Sequence, residues 1–380
     1  MTTSQDDRTT IITPNDGPIE AVFGEASPEQ RVECFKQAGR SFVRSVPEDQ
    51  WVAAEEQLGQ LPLLRGKGCR HWCLYKADAP NEIISSLRTI RREVLIRDEQ
   101  GIRQGTGYDI AMVATDAKYR GHGLASFLMR KVGEWADGPG AAPVTTLYTA
   151  VGPFYVKLGW ELLPAPQVSF ELPPGVSQDA LQRKRGENQL LPTRLFGPDE
   201  MPDLCSRDIA QLRSQVEAYD LAPNTSLVTT LPIPEQLGWY QEMAKLQSLT
   251  WCEGREVKAV GAICEEADTW ILWYQDLRNK ELKIARVKPG YGDTDLAKQA
   301  LVQLLSRAME EALSWEGLLV KIAIWDPSSE VLGALEILGK ELGFTPKSEM
   351  RDGVNQTSIR WAKAENRQTV FWPNEFYACN

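Results

Sequence analysis

Histidine is almost missing from this 380-residue chain, which has only two, His71 and His122. So few imidazoles leave little room for a histidine-rich metal site or a nucleophile–histidine pair. The seven cysteines are an odd number, scattered without a framework, which suits a reducing compartment. Cys69, His71 and Cys73 form the one metal-like cluster, but paired C-x-x-C halves are lacking, and alternate residues of a strand explain the spacing better. No metal is expected, and neither Cys69 nor Cys73 has a histidine in an evident partner position for nucleophilic work. Long apolar runs are lacking as well: Leu318–Trp325 is far too short to cross a bilayer and contains a lysine. The stretch Met1–Asp16 is polar, with no basic start before an apolar run, so no signal peptide is read and a cytoplasmic protein is expected. Positive charge is in deficit, 42 Lys and Arg against 52 Asp and Glu, for a formal charge of -10. That balance argues against nucleic acid or an anionic membrane as partner and slightly favours cationic substrates.

What is present organises into two units. Seven of the 23 prolines fall between Leu163 and Pro202, around the charged run Gln182–Asn188. This composition predicts a linker or an extended wrapping segment over 166–202, between a first domain over 1–165 and a second over 203–380. In the first, Ser27-Pro28-Glu29-Gln30 reads as an N-cap, a proline at N1 and a capping-box glutamine, starting a helix to about Arg40. A second helix is expected over Trp51–Leu58, then strands at His71–Lys76, Ile83–Ile96 and Tyr108–Thr115, with Gly101–Gly107 as the turn between the last two. Leu124, Phe127, Leu128, Val132 and Trp135 recur at helical spacing, and Val144–Thr149 is a strand before a short helix at Pro153–Leu158. The second unit repeats the theme. Strands are expected at Lys258–Glu265, Thr269–Asp276 and Leu282–Val287, a helix at Leu296–Trp315 and a strand at Val320–Trp325. The fold class is α+β, neither bundle nor sandwich. Phe371, Trp372, Phe376 and Tyr377 make the end of the chain too aromatic to hang in water, so it should dock on the body.

The sharpest motif is Arg120-Gly121-His122-Gly123-Leu124-Ala125, set between an apolar strand and an amphipathic helix. Glycines let backbone N–H groups approach a diphosphate, the helix N-terminus adds partial positive charge, and Arg120 and Lys118 supply full charges. A Gly-x-Gly alone also suits a plain tight turn. Neither a Walker loop nor the three-glycine dinucleotide fingerprint is present.

Here the sequence resembles the GNAT superfamily, whose coenzyme-A loop is Gln/Arg-x-x-Gly-x-Gly/Ala; Arg120, Gly123 and Ala125 stand at those positions. Further on, Tyr155, Gly159 and Trp160 in FYVKLGW are similar to the family's Tyr-x-x-x-Gly-Phe/Trp element. The segments ISSLRTIRREVLI (84–96), LYTAVGPFYVKLGW (147–160), KIAIWDPS (321–328) and WPNEFYAC (372–379) look like the two-domain fungal lysine N-epsilon-acetyltransferases, and the likeness covers both units. It implies a mixed, mostly antiparallel sheet flanked by helices, followed by a degenerate GNAT-like domain without the coenzyme loop. No second Arg-x-x-Gly-x-Gly/Ala occurs here. The subgroup's aromatic before the last cysteine is Ala378 in this chain, a departure at the substrate end of the site.

The resemblance implies acetyl-CoA as co-substrate, a small-molecule primary amine as acceptor, and a monomer or homodimer. The coenzyme would lie on Met112, Val113, Ala114 and Thr115 of the strand and on the loop Arg120, Gly121, His122, Gly123, Leu124, Ala125 and Ser126. An ammonium must lose a proton before nitrogen attacks a thioester. Asp109 is the acid best placed to take it, unless it merely begins a strand. Tyr155 is the expected proton donor to the departing thiolate, unless its ring only packs on the helix. Amides near Val113 or Ala114 should hold the carbonyl oxygen. Arg88 or Arg92 could hold an acceptor's carboxylate, and Glu375 its amine, or each could be an ordinary ion pair. Strand alternation sends Arg91 to the opposite face. A polyamine, an amino sugar, a specialised metabolite and a non-catalytic coenzyme-binding role stay open as alternatives.

Overall fold

In the computed structural model the capping box at Ser27 is closed: Gln30 N donates to Ser27 Oγ at 3.2 Å and Ser27 N to Gln30 Oε1 at 3.0 Å. Residues 7–13, 17–43, 45–187, 191–290, 294–362 and 368–379 are described. The first half runs β1 (Arg8–Thr13), β2 (Gly17–Glu25), α1 (Pro28–Phe42), α2 (Glu48–Leu58), β3 (Cys69–Lys76), β4 (Ala79–Asp98), β5 (Gly101–Thr115), α3 (Leu124–Asp137), β6 (Val144–Thr149), α4 (Gly152–Val156) and β7 (Glu161–Leu162). The second runs β8 (Pro166–Glu171), α5 (Gln178–Glu187), β9 (Arg194–Phe196), α6 (Met201–Ala218), β10 (Thr225–Thr230), α7 (Pro234–Trp251), β11 (Gly261–Cys264), β12 (Thr269–Asp276) and β13 (Glu281–Lys288). It continues with α8 (Thr294–Ser314), β14 (Lys321–Trp325), α9 (Ser329–Leu342), β15 (Lys347–Met350), β16 (Gln356–Trp361) and β17 (Gln368–Phe371).

Two sheets result. The first has the order β1-β2-β3-β4-β5-β6-β16-β7, with β10 also on β4 and β17 on β10. The second has the order β15-β8-β14-β13-β12-β11-β9. Each contains an antiparallel meander, then a helix, then a strand that returns parallel to the last meander strand: β3-β4-β5, α3, β6 in one and β11-β12-β13, α8, β14 in the other. The twenty-residue β4 is the spine of the molecule, since β3 flanks its first half and β10 its last residues.

Two sequence expectations give way. Gly101–Gly107 is no turn but the start of β5, which pairs with β4 as far as Asp98↔Gly101. Gly107 is needed there for close approach, because a Cβ would meet Val144 O at 3.1 Å and Val94 Cγ1 at 3.2 Å. The stretch 166–202 is likewise no free linker: β8 pairs with β14 and β15 inside the second sheet, and β9 closes its edge. Pro166 opens β8, where a missing N–H is tolerated, while Val168 and Phe170 are buried in the core. The halves also interlock, with β10, β16 and β17 from the second half hydrogen-bonded into the first sheet.

One face of the first sheet, with Leu87, Ile110 and Leu147, packs on Leu124, Leu128 and Val132 of α3. The opposite face, with Ile90, Val94 and Val144, is continuous with the core of the second half. The end of the chain lies between them. Tyr377 is fully buried, donating from its hydroxyl to Thr230 O at 2.7 Å and accepting at its carbonyl from Gln236 Nε2 at 2.9 Å.

Arg286 of β13 anchors this tail. Its Nε and Nη2 donate to Asp208 at 2.8 and 2.7 Å and its Nη1 to Glu375 at 2.8 Å, all three residues being buried. Two carboxylates share one guanidinium, and Asp208 has the two-pronged contact. Burial pushes the Glu375 carboxyl up to about 7 against the pull of Arg286, with Asp208 adding repulsion. The folded state therefore holds a proton that the unfolded chain has released. Stability from this group is fully present below the ordinary carboxylate range and is lost as pH rises through about 7. Glu375→Gln keeps a neutral hydrogen-bonding partner, so urea midpoints between pH 5 and 8 should fall less steeply in the variant. Equal slopes would show that Glu375 does not carry the proton.

Candidate active site

Asp116 Oδ1 accepts from Lys118 N at 3.0 Å and starts the single turn Ala117–Tyr119 that lifts the chain out of β5. Tyr119 pins this turn, its ring buried and its hydroxyl bonded to Glu82. Arg120 Nε donates to Thr115 O at 3.1 Å, and the residue stays exposed, as do Lys118, Gly121 and His122. Gly121 and Gly123 have φ of +84° and +73°, where a Cβ is disfavoured, and Gly123 is the N-cap of α3. It offers no side-chain cap, so the first amides of α3, on Leu124, Ala125 and Ser126, have neither intrahelical acceptors nor a capping oxygen. The result is a row of amides at a positive helix end beside the exposed side chains of Arg120 and Lys118, a geometry that suits an anion.

Behind the loop the sheet is forked. Ser86 pairs with Ala114 but Arg88 pairs with Ala111, so β5 carries one residue more than β4 between those rungs. The surplus falls at Met112, whose φ is +55°. β5 and β6 pair only from Tyr108↔Thr145 to Ile110↔Leu147 and part beyond. Met112, Val113, Ala114 and Thr115 thus edge a gap whose mouth is the glycine loop. Tyr155 in α4 packs on the α3 side with Leu124 and Leu128. Burial pushes its phenol up to about 12, so it keeps its proton at neutral pH.

The other face of the fork carries charge. Arg88 and Arg92 are buried there, while Arg91 points outward and is exposed. Arg88 Nη1 meets Glu55 Oε2 of α2 at 2.7 Å, and Arg92 Nη2 lies 3.5 Å from Asp109 Oδ2. Asp109 is wholly enclosed and also accepts from Thr146 Oγ1 at 3.3 Å. It stands one residue before the fork, yet it is an engaged carboxylate and not a solvated one. Glu375 bonds Arg286 and the amide of Val287 in the second sheet, so it is no open receptor for an amine. His71 sits edge-on to Phe35 and is held neutral, with burial and Arg88 lowering it to about 3. Burial raises the Cys69 thiol to about 11, which removes it as a nucleophile. Among the described residues no group of three or more metal-ligating side chains is found, and no helix is long and apolar enough to cross a membrane.

Several neighbours of the fork were not singled out from the sequence. Glu55 had a signal, since Trp51, Glu55 and Leu58 share the buried stripe of α2 and a charge in such a stripe asks for a partner. Tyr148 had a weaker one, on the same face of β6 as Val144 and Thr146. Tyr240, Arg351 and the bulge at Met112 had none.

This arrangement is that of a GNAT acetyltransferase. Residues 178–379 match the family described as LYC1 GNAT-like C-terminal domain, just over half the chain, and residues 25–163 match the acetyltransferase (GNAT) domain. The chain belongs to the LYC1-like GNAT family. A lysine acetyltransferase of Yarrowia lipolytica is 24% identical over 309 residues, covering 72% of this chain and 76% of that one. In fold alone, the chain is similar to a GCN5-related N-acetyltransferase from Kribbella flavida (TM-score 0.53, 16% identity, 90% of this chain and 72% of that one). A probable N-acyltransferase from Enterococcus faecalis is comparable (TM-score 0.53, 13% identity, 90% and 73%).

The loop makes a stability prediction independent of any ligand. A Cβ at residue 123 would meet nothing within 4 Å, so Gly123→Ala has only its backbone strain to bear. A loss of about 1–2 kcal/mol is expected by denaturant unfolding. No loss would mean that residue 123 has left the left-handed region.

Proposed function

We propose that the protein transfers acetyl from acetyl-CoA to a primary amine of a small molecule, the side-chain amine of free lysine or a lysine-like metabolite. The observation that carries this reading is the fork between β5 and β6, with the open amide row of α3 at its mouth. Arg120, Lys118 and the amides from Gly121 to Ser126 fit a diphosphate, and the edge Met112–Thr115 fits an extended amide-bearing arm. The reaction is direct. The acceptor ammonium loses a proton to Asp109, its nitrogen bonds to the thioester carbonyl carbon, and the carbonyl oxygen gathers charge against the amide of Val113 or Ala114. The C–S bond then breaks, the sulfur takes the proton of Tyr155, and the nitrogen releases its second proton to solvent. Protonated Asp109 and the Tyr155 phenolate return to their starting states by exchange with solvent.

Arg88 and Arg92 on the acceptor side are paired with Glu55 and Asp109, so by themselves they do not select between an amine that carries a carboxylate and a polyamine. A non-catalytic coenzyme-binding role is the competing reading. A panel of lysine, ornithine, spermidine, amino sugars and a histone-tail peptide, with products identified by mass, separates these. Selective acetylation of the lysine side chain is expected; coenzyme binding without turnover on any amine would leave the binding role.

Three substitutions dissect the machinery. Arg120→Glu should weaken acetyl-CoA binding by calorimetry, and unchanged affinity would mean the loop is misread. Tyr155→Phe should lower kcat with little change in coenzyme affinity, whereas a wild-type rate removes the phenol from the reaction. Asp109→Asn should cost roughly a hundredfold in kcat, the usual scale for a lost general base.

A further inference from the structure

A second set of polar groups converges behind the fork, and it is unfinished. Tyr148 of β6 stands one residue past the last β5–β6 rung, with its ring half-buried. Its hydroxyl is enclosed and, among the described residues, has no hydrogen-bond partner. Arg351, which follows β15, is 3% exposed, and its guanidinium carbon lies 3.4 Å from the centre of the Trp325 ring. Nη1 donates to Asn355 O at 2.6 Å, but Nε and Nη2 are buried without a partner. Trp325 in turn faces Tyr148 at 6.1 Å and Phe376 at 4.8 Å between ring centres. Tyr240 of α7 closes the far side, its ring 5.2 Å from Phe376 and its hydroxyl on the carbonyls of Phe376 and Cys379. Asp109, Tyr240 and Arg351 are close enough to Tyr148 for their fields to reach its hydroxyl, and Arg92 and Asp109 likewise act on Tyr240.

Leaving three such donors unmet forfeits the hydrogen bonds each makes in water, at a higher cost for a charged group. A planar anion set edge-on to Arg351 would take Nε and Nη2 together, with the Tyr148 hydroxyl as a third donor. Asp109 and Asp326 nearby disfavour a doubly charged phosphate and suit a zwitterion, whose ammonium they attract. We propose that Arg351 and Tyr148 form the carboxylate-binding site for an amino-acid acceptor, so that the second half of the chain selects the substrate on which the first half acts. This deepens the acetyl-transfer reading and rests on it for the word acceptor, but not for binding.

The test titrates the full-length chain with L-lysine, lysinamide and cadaverine by calorimetry, alongside steady-state rates on the same amines. Lysine is expected to bind roughly tenfold or more tightly than lysinamide, the scale of a charge-assisted contact. Arg351→Gln should collapse that preference and lower the lysine-to-cadaverine ratio of kcat/KM by about tenfold or more. Should Arg351→Gln fail to fold, Tyr148→Phe serves: it removes an unpartnered hydroxyl, so its Tm without ligand should not fall, yet it should weaken lysine and spare lysinamide. Equal binding of lysine and lysinamide, no binding of lysine, or preferences unaltered in both variants, would overturn the site. If lysine binds with the predicted preference but no amine is acetylated, the site stands and the acetyl-transfer reading falls. Acetylation without regard to a carboxylate gives the reverse.

Discussion

A strand that carries one residue too many cannot keep both neighbours in register, and β5 carries its surplus at Met112. Holding a non-glycine residue in the left-handed region costs about 1–3 kcal/mol, so the surrounding sheet has to impose it. That sheet is the longest paired surface in the molecule, with β4 matching β5 from Ser85 to Asp98. Everything at the candidate site follows from this fault. It separates β5 from β6, turns the edge Met112–Thr115 into an open ledge, and puts Asp109 and Tyr148 on one lip and the glycine loop at the other.

The second half repeats the fault. Leu272 pairs with Arg286 and Trp273 with Ile284, leaving Ala285 as the extra residue of β13, and β13 pairs with β14 only up to Ile284. Here the gap is filled by the chain itself: Glu375 takes the amide of Val287, and Asp326 Oδ2 takes the amide of Asn374 at 2.7 Å. The same bulge thus leaves an open edge in one sheet and a dock for the tail in the other. What separates the two outcomes is saturation. Arg286 meets Asp208 and Glu375 with all its arms, whereas Arg351 keeps two donors that have no hydrogen-bond partner among the described residues.

Legibility in the sequence followed the range of the interaction. The capping box of α1, the strand Val144–Thr149 and the glycine loop before α3 are written in adjacent residues, and they were readable. Gly101–Gly107 misled because glycine marks a turn and also a close approach, and only the position of Val144 tells them apart. The prolines of 166–202 misled because Val168 and Phe170 between them are core residues of a sheet whose other strands lie far along the chain. Arg88 and Arg92 were correctly put on one face by alternation, but their partners Glu55 and Asp109 come from a helix and a neighbouring strand, pairings no local pattern encodes. Glu375 shows the limit most clearly: its partners lie 89 and 88 residues away, and they engage the carboxylate that looked available.

These particulars bear on why an acetyltransferase of this family carries a second unit whose own fork is closed. A single sheet with one fork has one face backed by α3 and an opposite face that would lie open beyond α1 and α2. Covering that face with Trp325, Arg351, Phe376 and Tyr240 removes water from the charges around the fork, which strengthens each of them. The tail that plugs the second fork also supplies part of this wall, so closing one site and shaping the other are one packing event. The glycine loop belongs to the first half and Arg351 to the second, and the halves are joined by β10 on β4 and by β16 on β6 and β7. Under the proposed reading, changes around Arg351 would retune which amine is held without disturbing the bulge at Met112.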